Sequence, residues 1–241
     1  MKKLLILIFI ASYSVSFSQE TYYNDVDLTL YGTQLKDALA AKIIATHTRV
    51  LEYTSSGPDV WDATKVTDDY VALSGDVILF YGWENGSHQD ISNDISRDNR
   101  LQDIGDGDTY VWNREHVFPK SLANPKLDTD IPGPSTDAHH LRAADRTRNS
   151  ARNNRKYGRG TGTSNYSTLD FHEGLDGPNT AAWYPGDDWK GDAARMIMYM
   201  YMRYGAVCLP TAVGVGSKEF TQDEMIDLFL QWNVEDPVSE F

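Results

Sequence analysis

The spacing of apolar residues predicts helices in the first and last parts of the chain. Along residues 33–45, apolar side chains recur at intervals of three and four, which places them on one helix face that we expect to pack against the core. Residues 192–204 are apolar nearly all round, as is typical of a buried helix. Within that stretch Arg195 needs a partner, and we expect it to lie beneath a functional site as structural support. Residues 60–70 are a weaker helix candidate, and a capping box at 221–224 predicts the start of a last helix.

Strands are predicted in the middle of the chain, where the apolar runs are shorter. They cover residues 76–81, 110–117 and 138–142, and a short helix is predicted to follow at 143–153. Two polar, glycine-containing stretches, 83–108 and 157–182, are predicted to be irregular. The sequence thus predicts an α+β fold with a strand, strand, helix unit at its centre.

The first 18 residues have the pattern of a secretory signal peptide. Lys2 and Lys3 precede an apolar run at 4–10, and small residues lead to a predicted cut between Ser18 and Gln19. The apolar run is too short to span a bilayer stably. We therefore expect a secreted or periplasmic protein without a membrane anchor, whose mature chain, residues 19–241, forms one domain and remains a monomer.

Composition and charge restrict the chemistry further. Cys208 is the only cysteine, so no disulfide can form within the chain. The net charge of -13 argues against loose binding of polyanions. Residues 139–160 are the exception, because they hold seven basic residues and a single acid, Asp145. Such a basic patch on an acidic body can focus a polyanion onto one site.

Glu115 and His116 place a carboxylate beside an imidazole near the end of the second predicted strand. Hydrolysis of a phosphodiester needs an activated water, which a histidine can provide, and a counter-charge, which a divalent metal ion can provide. Mg²⁺ prefers oxygen ligands. Asn149 and Arg152 share one face of the following helix, where they would offer an amide oxygen to the metal ion and a guanidinium to phosphate.

The residues alone leave other interpretations open. Glu115 can be an ordinary surface acid and His116 an ordinary core histidine. A secreted zinc hydrolase would use His139 and His140, although consecutive ligands are awkward and no HExxH pattern supports zinc. A non-catalytic module that binds polyanions or glycans would use exposed aromatic rings, for which the candidates are Trp61, Trp83, Trp183 and Trp189.

Three blocks of the sequence resemble the secreted bacterial endonuclease I family, which belongs to the ββα-metal, or His-Me finger, nucleases. The blocks are Asn113-Arg114-Glu115-His116 with Pro119 and Ser121, then Asp137-x-His139-His140-Leu141, and finally Asn149-x-x-Arg152-x-Asn154. The resemblance extends to Gly191-Asp192-x-Ala194-Arg195-Met196 and to Trp232 with Asp236-Pro237-Val238-Ser239. Members of the family often continue beyond that last block, whereas this chain stops at Phe241.

The resemblance implies a role for each matching residue. His116 stands at the position of the general base, and Glu115 and Asn149 stand at the positions of the metal ligands. Arg152 is expected to be a further catalytic residue that contacts phosphate or supports the site. Arg114 and Arg148 are expected to bind the substrate backbone, and structural support is expected from Asp137, His139, Asn154 and Arg195.

Together these observations predict a ββα-metal core at about residues 110–154, embedded in a single mixed domain with flanking helices. The predicted function is non-specific, metal-dependent cleavage of DNA, and of RNA as an open alternative, leaving 5′-phosphate ends. Mg²⁺ is the expected metal ion, with Ca²⁺ and Mn²⁺ as alternatives. Base readout is not expected, because the basic stretch favours contacts with the backbone of the nucleic acid.

Overall fold

A computed structural model describes residues 21–71, 74–84, 89–108, 110–174 and 176–238. The predicted signal peptide, residues 1–18, lies outside this range. The described part is a mixed α/β structure with three two-stranded antiparallel sheets and six α-helices. Its elements are α1 (Gly32–Thr46), α2 (Val60–Thr67), β1 (Asp76–Ile78), β2 (Ser96–Asp98), β3 (Trp112–His116), β4 (Leu141–Asp145), α3 (Arg146–Arg152), β5 (Asn165–Gly174), β6 (Gly177–Tyr184), α4 (Lys190–Tyr204), α5 (Pro210–Val213) and α6 (Asp227–Glu235).

The core is built around α4, as the sequence predicts. Ala193, Ala194, Ile197 and Met200 are buried on this helix, which packs against α6, and they belong to one core cluster with Trp183 and Tyr184 of β6. Arg195 does find partners away from the predicted functional site: it donates to Asp192 on its own helix and to the backbone oxygen of Asp236, which follows α6. In contrast to the prediction of a core-packing helix, α1 has no fully buried residue and lies on the outside of α4.

The centre of the fold is the hairpin of β3 and β4, followed at once by α3. The register pairs Trp112 with Asp145 and His116 with Leu141. The second strand begins at Leu141, three residues later than predicted, because residues 138–140 form a 3-10 turn. Asp145 accepts a hydrogen bond from the backbone of Arg148, and this cap starts the helix at Arg146, three residues later than predicted.

The prediction that residues 157–182 are irregular was wrong, because β5 and β6 form the longest hairpin of the described structure. The two buried positions of β5 are the polar residues Ser167 and Asp170, which bind the backbone of Arg159. The strand therefore lacks the alternation of apolar and polar residues by which a half-buried strand is recognised. The stretch 83–108 likewise contains a short strand, β2.

The last predicted helix begins later than its capping motif indicates. Thr221 and Asp223 bind the backbone of Met225 and form a turn, and α6 starts only at Asp227. Two further elements are shorter than predicted, since α2 ends at Thr67 and β1 at Ile78. Among the described residues, no helix combines the length and apolar character that crossing a membrane requires.

Candidate active site

A cleft of about 480 Å³ opens where β3 ends against α3. Most of the residues singled out in the sequence meet here. Its walls are formed by Asn113, Arg114, Glu115, His116, Pro119, Lys120, Ser121, Lys126, Asn149, Ser150, Arg152, Asn153 and Asn154. Glu115 and His116 both face this cleft although they are neighbours on a strand, because β3 ends at His116.

The Glu115 carboxylate is 2% exposed and is fixed through one of its oxygens. Oε1 accepts a hydrogen bond of 2.8 Å from the Tyr81 hydroxyl and lies 3.3 Å from the Arg152 guanidinium. Burial raises the pKa of Glu115, while Arg152 and the Tyr81 hydrogen bond act in the opposite direction. No described residue binds Oε2, so this oxygen remains available to a ligand in the cleft.

The Asn149 side chain is oriented by a second amide. Its Nδ2 donates to Oδ1 of Asn113 at 2.7 Å, which leaves its own Oδ1 without a partner among the described residues. A carboxylate oxygen and an amide oxygen thus line one cleft. This donor set suits a hard divalent ion such as Mg²⁺, which keeps several waters and needs only one or two protein ligands.

His116 is held in the tautomer of a base. Its Nε2 lies 2.8 Å from the backbone oxygen of Ser135, which can only accept, so Nε2 carries the proton and Nδ1 is left with a lone pair. No described residue binds Nδ1. Burial lowers the pKa of His116 well below its ordinary value, with further lowering from His140 and Lys120. The imidazole is therefore neutral at neutral pH.

Arg152 is buried beneath these residues, and its contacts are made with the protein. It donates to the backbone oxygens of His116 at 3.3 Å and Val117 at 2.9 Å, besides its ion pair with Glu115. The guanidinium therefore fixes the end of β3 where the two key side chains project. The position of Arg152 therefore indicates that it supports the site by holding Glu115 and the end of β3 in place.

Comparisons with known proteins identify the family of this chain. The family model of Endonuclease I matches residues 31–241. An extracellular ribonuclease of Bacillus amyloliquefaciens is 35% identical over 229 residues, which cover 92% of this chain and 68% of that protein. An extracellular ribonuclease of Bacillus subtilis (strain 168) is 33% identical over 227 residues, with the same coverage. No solved structure matches significantly.

The chain belongs to the Endonuclease I family. It is accordingly a nuclease, a hydrolase that acts on nucleic acid, and the non-catalytic module that the sequence left open is wrong. The aromatic residues considered for that module serve the structure instead. Trp183 and Trp189 are buried, and the rings of Trp61 and Trp83 are covered by arginine guanidiniums.

Two residues of the site in this Endonuclease I chain were missed in the sequence. Tyr81 and Tyr157 are fully buried, their hydroxyls are 2.8 Å apart, and Tyr157 also donates to the backbone oxygen of Val117. Tyr81 has a φ of 77°, which a bulky residue adopts only when its surroundings impose it. The only sequence signal was its position at the end of an apolar run, and that signal predicted core packing.

The positive charge of the cleft comes mainly from residues outside the basic stretch 139–160. Lys120, Lys126 and Arg114 line the cleft, and neither lysine was singled out in the sequence. Burial lowers the pKa of Lys120, and the neighbouring Lys126 lowers it further. Arg114 is clamped between the rings of Tyr53 and Trp61, with its guanidinium carbon 3.4 Å and 3.8 Å from the two ring centroids.

Most of the basic residues between 139 and 160 are engaged in contacts within the protein. Arg148 was expected to bind substrate, but it does not line the cleft. It lies over Trp83 and binds the side chain of Asn93 and the backbone of Ser92. Ion pairs engage four others with acids of the body: Arg142 with Asp68, Arg146 with Asp103, Arg155 with Asp176, and Arg159 with Asp170.

The residues expected to give structural support lie in three different places. Asn154 lines the cleft and donates to Ser121 at 3.0 Å. Asp137 is buried behind the loop that carries Ser135, where it accepts hydrogen bonds from the hydroxyls of Tyr199 and Tyr204 and from His139. Burial would raise the pKa of Asp137, but these hydrogen bonds hold it below its usual value. Arg195 lies outside the cleft, where it contacts Asn233 on α6 and the backbone oxygen of Asp236.

The structure does not bring His139 and His140 together as zinc ligands. The His139 side chain is 63% exposed and stacks on Tyr199, whereas His140 is fully buried and binds the backbone oxygen of Pro134. Burial lowers the pKa of His140 to about 4. Across the described ranges, no three residues among His, Cys, Asp and Glu form a metal-binding group.

Proposed function

We propose that this nuclease is a metal-dependent endonuclease in which β3, β4 and α3 form a ββα-metal core. One observation carries the proposal. Three side chains line the same cleft, and a hydrogen bond through another of its atoms orients each of them. The atoms left free are Oε2 of Glu115, Oδ1 of Asn149 and Nδ1 of His116, which carries a lone pair. Family members generally depend on a metal ion.

In this proposal His116 accepts a proton at Nδ1 from the water that attacks phosphorus. The Ser135 carbonyl holds the ring and keeps the proton on Nε2, so the same nitrogen remains the acceptor in each turnover. Glu115 and Asn149 hold a divalent ion, which when bound supplies a counter-charge for the phosphate and the leaving oxygen. Lys120, Lys126 and Arg114 attract the polynucleotide backbone, and cleavage leaves a 5′-phosphate.

The proposed substrates are DNA and RNA. The proposed metal ion is Mg²⁺, with Ca²⁺ and Mn²⁺ as alternatives. The curated relatives are named extracellular ribonucleases, which supports RNA, and their name also supports export of this chain. Export predicts a mature N-terminus at Gln19. Mass spectrometry of the protein recovered from the periplasm and from the medium tests this prediction.

The experiment that tests the function uses circular DNA and a circular RNA as substrates, because only an endonuclease can open a circle. We expect both circles to be opened in Mg²⁺, with 5′-phosphate ends, and the rate to fall at least about a hundredfold in His116→Ala. His172→Ala is the matched control, since His172 lies on β5 and its ring binds the backbone of Glu173. Circles that stay closed, or full activity in His116→Ala, would overturn the proposal.

A further inference from the structure

A second cavity, here called the side cleft, adjoins the active-site cleft. It has a volume of about 550 Å³, within the range of small-molecule sites, and is bounded by residues 54–57, the exposed side of α2 and residues 102–104. Arg114 is a wall of both cavities. The two cavities therefore meet at this side chain.

Arg114 forms a rigid partition between the two cavities. Besides its clamp of two aromatic rings, it donates to the backbone oxygen of Tyr53 and to the hydroxyl of Thr54. The residue is 9% exposed, and its Nε is buried without a partner in the described part of the chain. A side chain with so many fixed contacts is preorganised, so little ordering entropy is lost when a ligand binds against it.

The acidic residues of the side cleft determine what can enter. Asp59 and Asp62 belong to the capping box of α2, and Asp103 accepts from the backbone of Gly105 and lies 3.4 Å from Arg146. Three carboxylates repel a phosphate. Because these acids already bind backbone amides and Arg146, the side cleft is not arranged as a cation site either. The part of a ligand that fits is polar and uncharged.

Several polar groups of the side cleft have no partner within the described part of the chain. The Oε1 atom of Gln102 is buried without a hydrogen bond. The side chains of Lys65 and Ser56 also line the side cleft, and neither makes a hydrogen bond or ion pair with another described residue. An unpaired buried acceptor favours a ligand that carries N–H or O–H donors. Base edges and sugar hydroxyls of a nucleoside have such donors and also acceptors for Lys65.

We infer that the side cleft binds one of the two nucleosides that flank the scissile phosphate. This inference rests on the proposed function and adds a specificity subsite to it. The phosphate lies at the Arg114 partition, and the adjoining base and sugar reach Gln102 and Lys65. Cleavage then depends on the presence of a base at one flanking position, although it needs no particular sequence further away.

The test uses oligonucleotides with a single cleavable phosphodiester among methylphosphonate linkages. In three versions both flanking bases are present, or the base on the 5′ side or the 3′ side is removed. We expect removal of one of these bases to raise KM about fivefold, as the loss of hydrogen bonds of about 1 kcal/mol implies, while removal of the other has little effect. In Gln102→Leu and Lys65→Ala, KM for the complete oligonucleotide rises and the dependence on that base disappears.

Lys218→Ala is the control, because Lys218 pairs with Glu224 away from both cavities. The same comparison, made by fluorescence anisotropy with the inactive His116→Ala protein, gives the binding constants without turnover. Equal KM and equal affinity for all three oligonucleotides, or an unchanged base dependence in both side-cleft variants, would overturn the inference. Failure of the proposed function is a different result, since the wild-type protein would then cleave no oligonucleotide at all.

Discussion

At the scale of single residues, each key side chain of the site has one polar atom held by a hydrogen bond with another part of the protein. Asn149 is set by Asn113, His116 by the Ser135 carbonyl and Glu115 by Tyr81. Hydrogen bonds behind a metal ligand orient it and adjust its affinity for the ion. Tyr81 is the residue that tests this arrangement, because it binds Glu115 and lies outside the cleft.

Tyr81→Phe removes one hydroxyl and keeps the ring. We expect the affinity for Mn²⁺ to fall about tenfold, since the carboxylate loses its orienting donor, while kcat at saturating metal changes much less. Isothermal titration with Mn²⁺ measures the affinity without turnover. Tyr184→Phe is the control, because Tyr184 is also buried but binds Asp187 away from the cleft. Equal affinity in wild type and Tyr81→Phe would contradict the role given to Tyr81.

His140 predicts how stability depends on pH. Its folded-state pKa of about 4 lies below the ordinary value of 6.5, so the unfolded chain binds a proton first as the pH falls. The stabilisation is complete above pH 6.5 and is lost between pH 6.5 and 4, by about 3 kcal/mol. His140→Gln keeps a donor for Pro134 and does not titrate, so its urea stability should fall less over this interval. An identical fall in both proteins would contradict the prediction.

At the scale of elements, Arg152 joins α3 to the end of β3. It is 1% exposed and pairs with an equally buried Glu115. Removing one partner of a buried ion pair leaves an uncompensated charge, so Arg152→Met should lower the free energy of unfolding by about 3 kcal/mol. The double variant Glu115→Gln/Arg152→Met should lose less than Arg152→Met alone, because no charge is left unpaired. Chemical denaturation measures the free energy of unfolding of the wild type and of both variants. A greater loss of stability in the double variant than in Arg152→Met would contradict this account.

The elements also show which parts of the fold could be predicted from sequence patterns. The central hairpin and helix and the core helix α4 were predicted, because their apolar positions or motifs are local in sequence. The boundaries of β4 and α3 were displaced because the Asp137 and Asp145 carboxylates accept hydrogen bonds from the backbone amides of His139 and Arg148. The hairpin of β5 and β6 was not predicted, because the buried positions of β5, Ser167 and Asp170, are polar and bind the backbone of Arg159.

At the scale of the whole molecule, the sequence could not show which cations line the cleft. The dense arginine run predicted a basic face, but Arg148, Arg155 and Arg159 are bound by residues from other parts of the chain. Lys120 and Lys126 line the cleft, and neither was singled out in the sequence although Lys120 lies between Pro119 and Ser121 of the first motif block. Tyr81 was missed for the same reason, since it meets Glu115 from 34 residues away.

This distribution of charge predicts the salt dependence of binding. The body is acidic, so affinity depends on the few cations at the cleft. Lys126→Ala should reduce the slope of log K against log salt concentration by about 1, since one phosphate contact is lost. Arg155→Ala is the matched control, because Arg155 is engaged by Asp176. A slope that falls in Arg155→Ala and is unchanged in Lys126→Ala would contradict this prediction. It would show that the nucleic acid binds to the basic stretch 139–160.

The central claim is that Glu115 holds a metal ion with which His116 hydrolyses the phosphodiester. The most direct measurement is the single-turnover cleavage rate in Mg²⁺ and in EDTA, for wild type, Glu115→Gln and His116→Ala, with Mn²⁺ affinity determined for each. The account predicts cleavage by wild type in Mg²⁺ only, loss of both metal affinity and cleavage in Glu115→Gln, and loss of cleavage with metal affinity retained in His116→Ala. Cleavage by wild type in EDTA, or by Glu115→Gln at the wild-type rate, would contradict it.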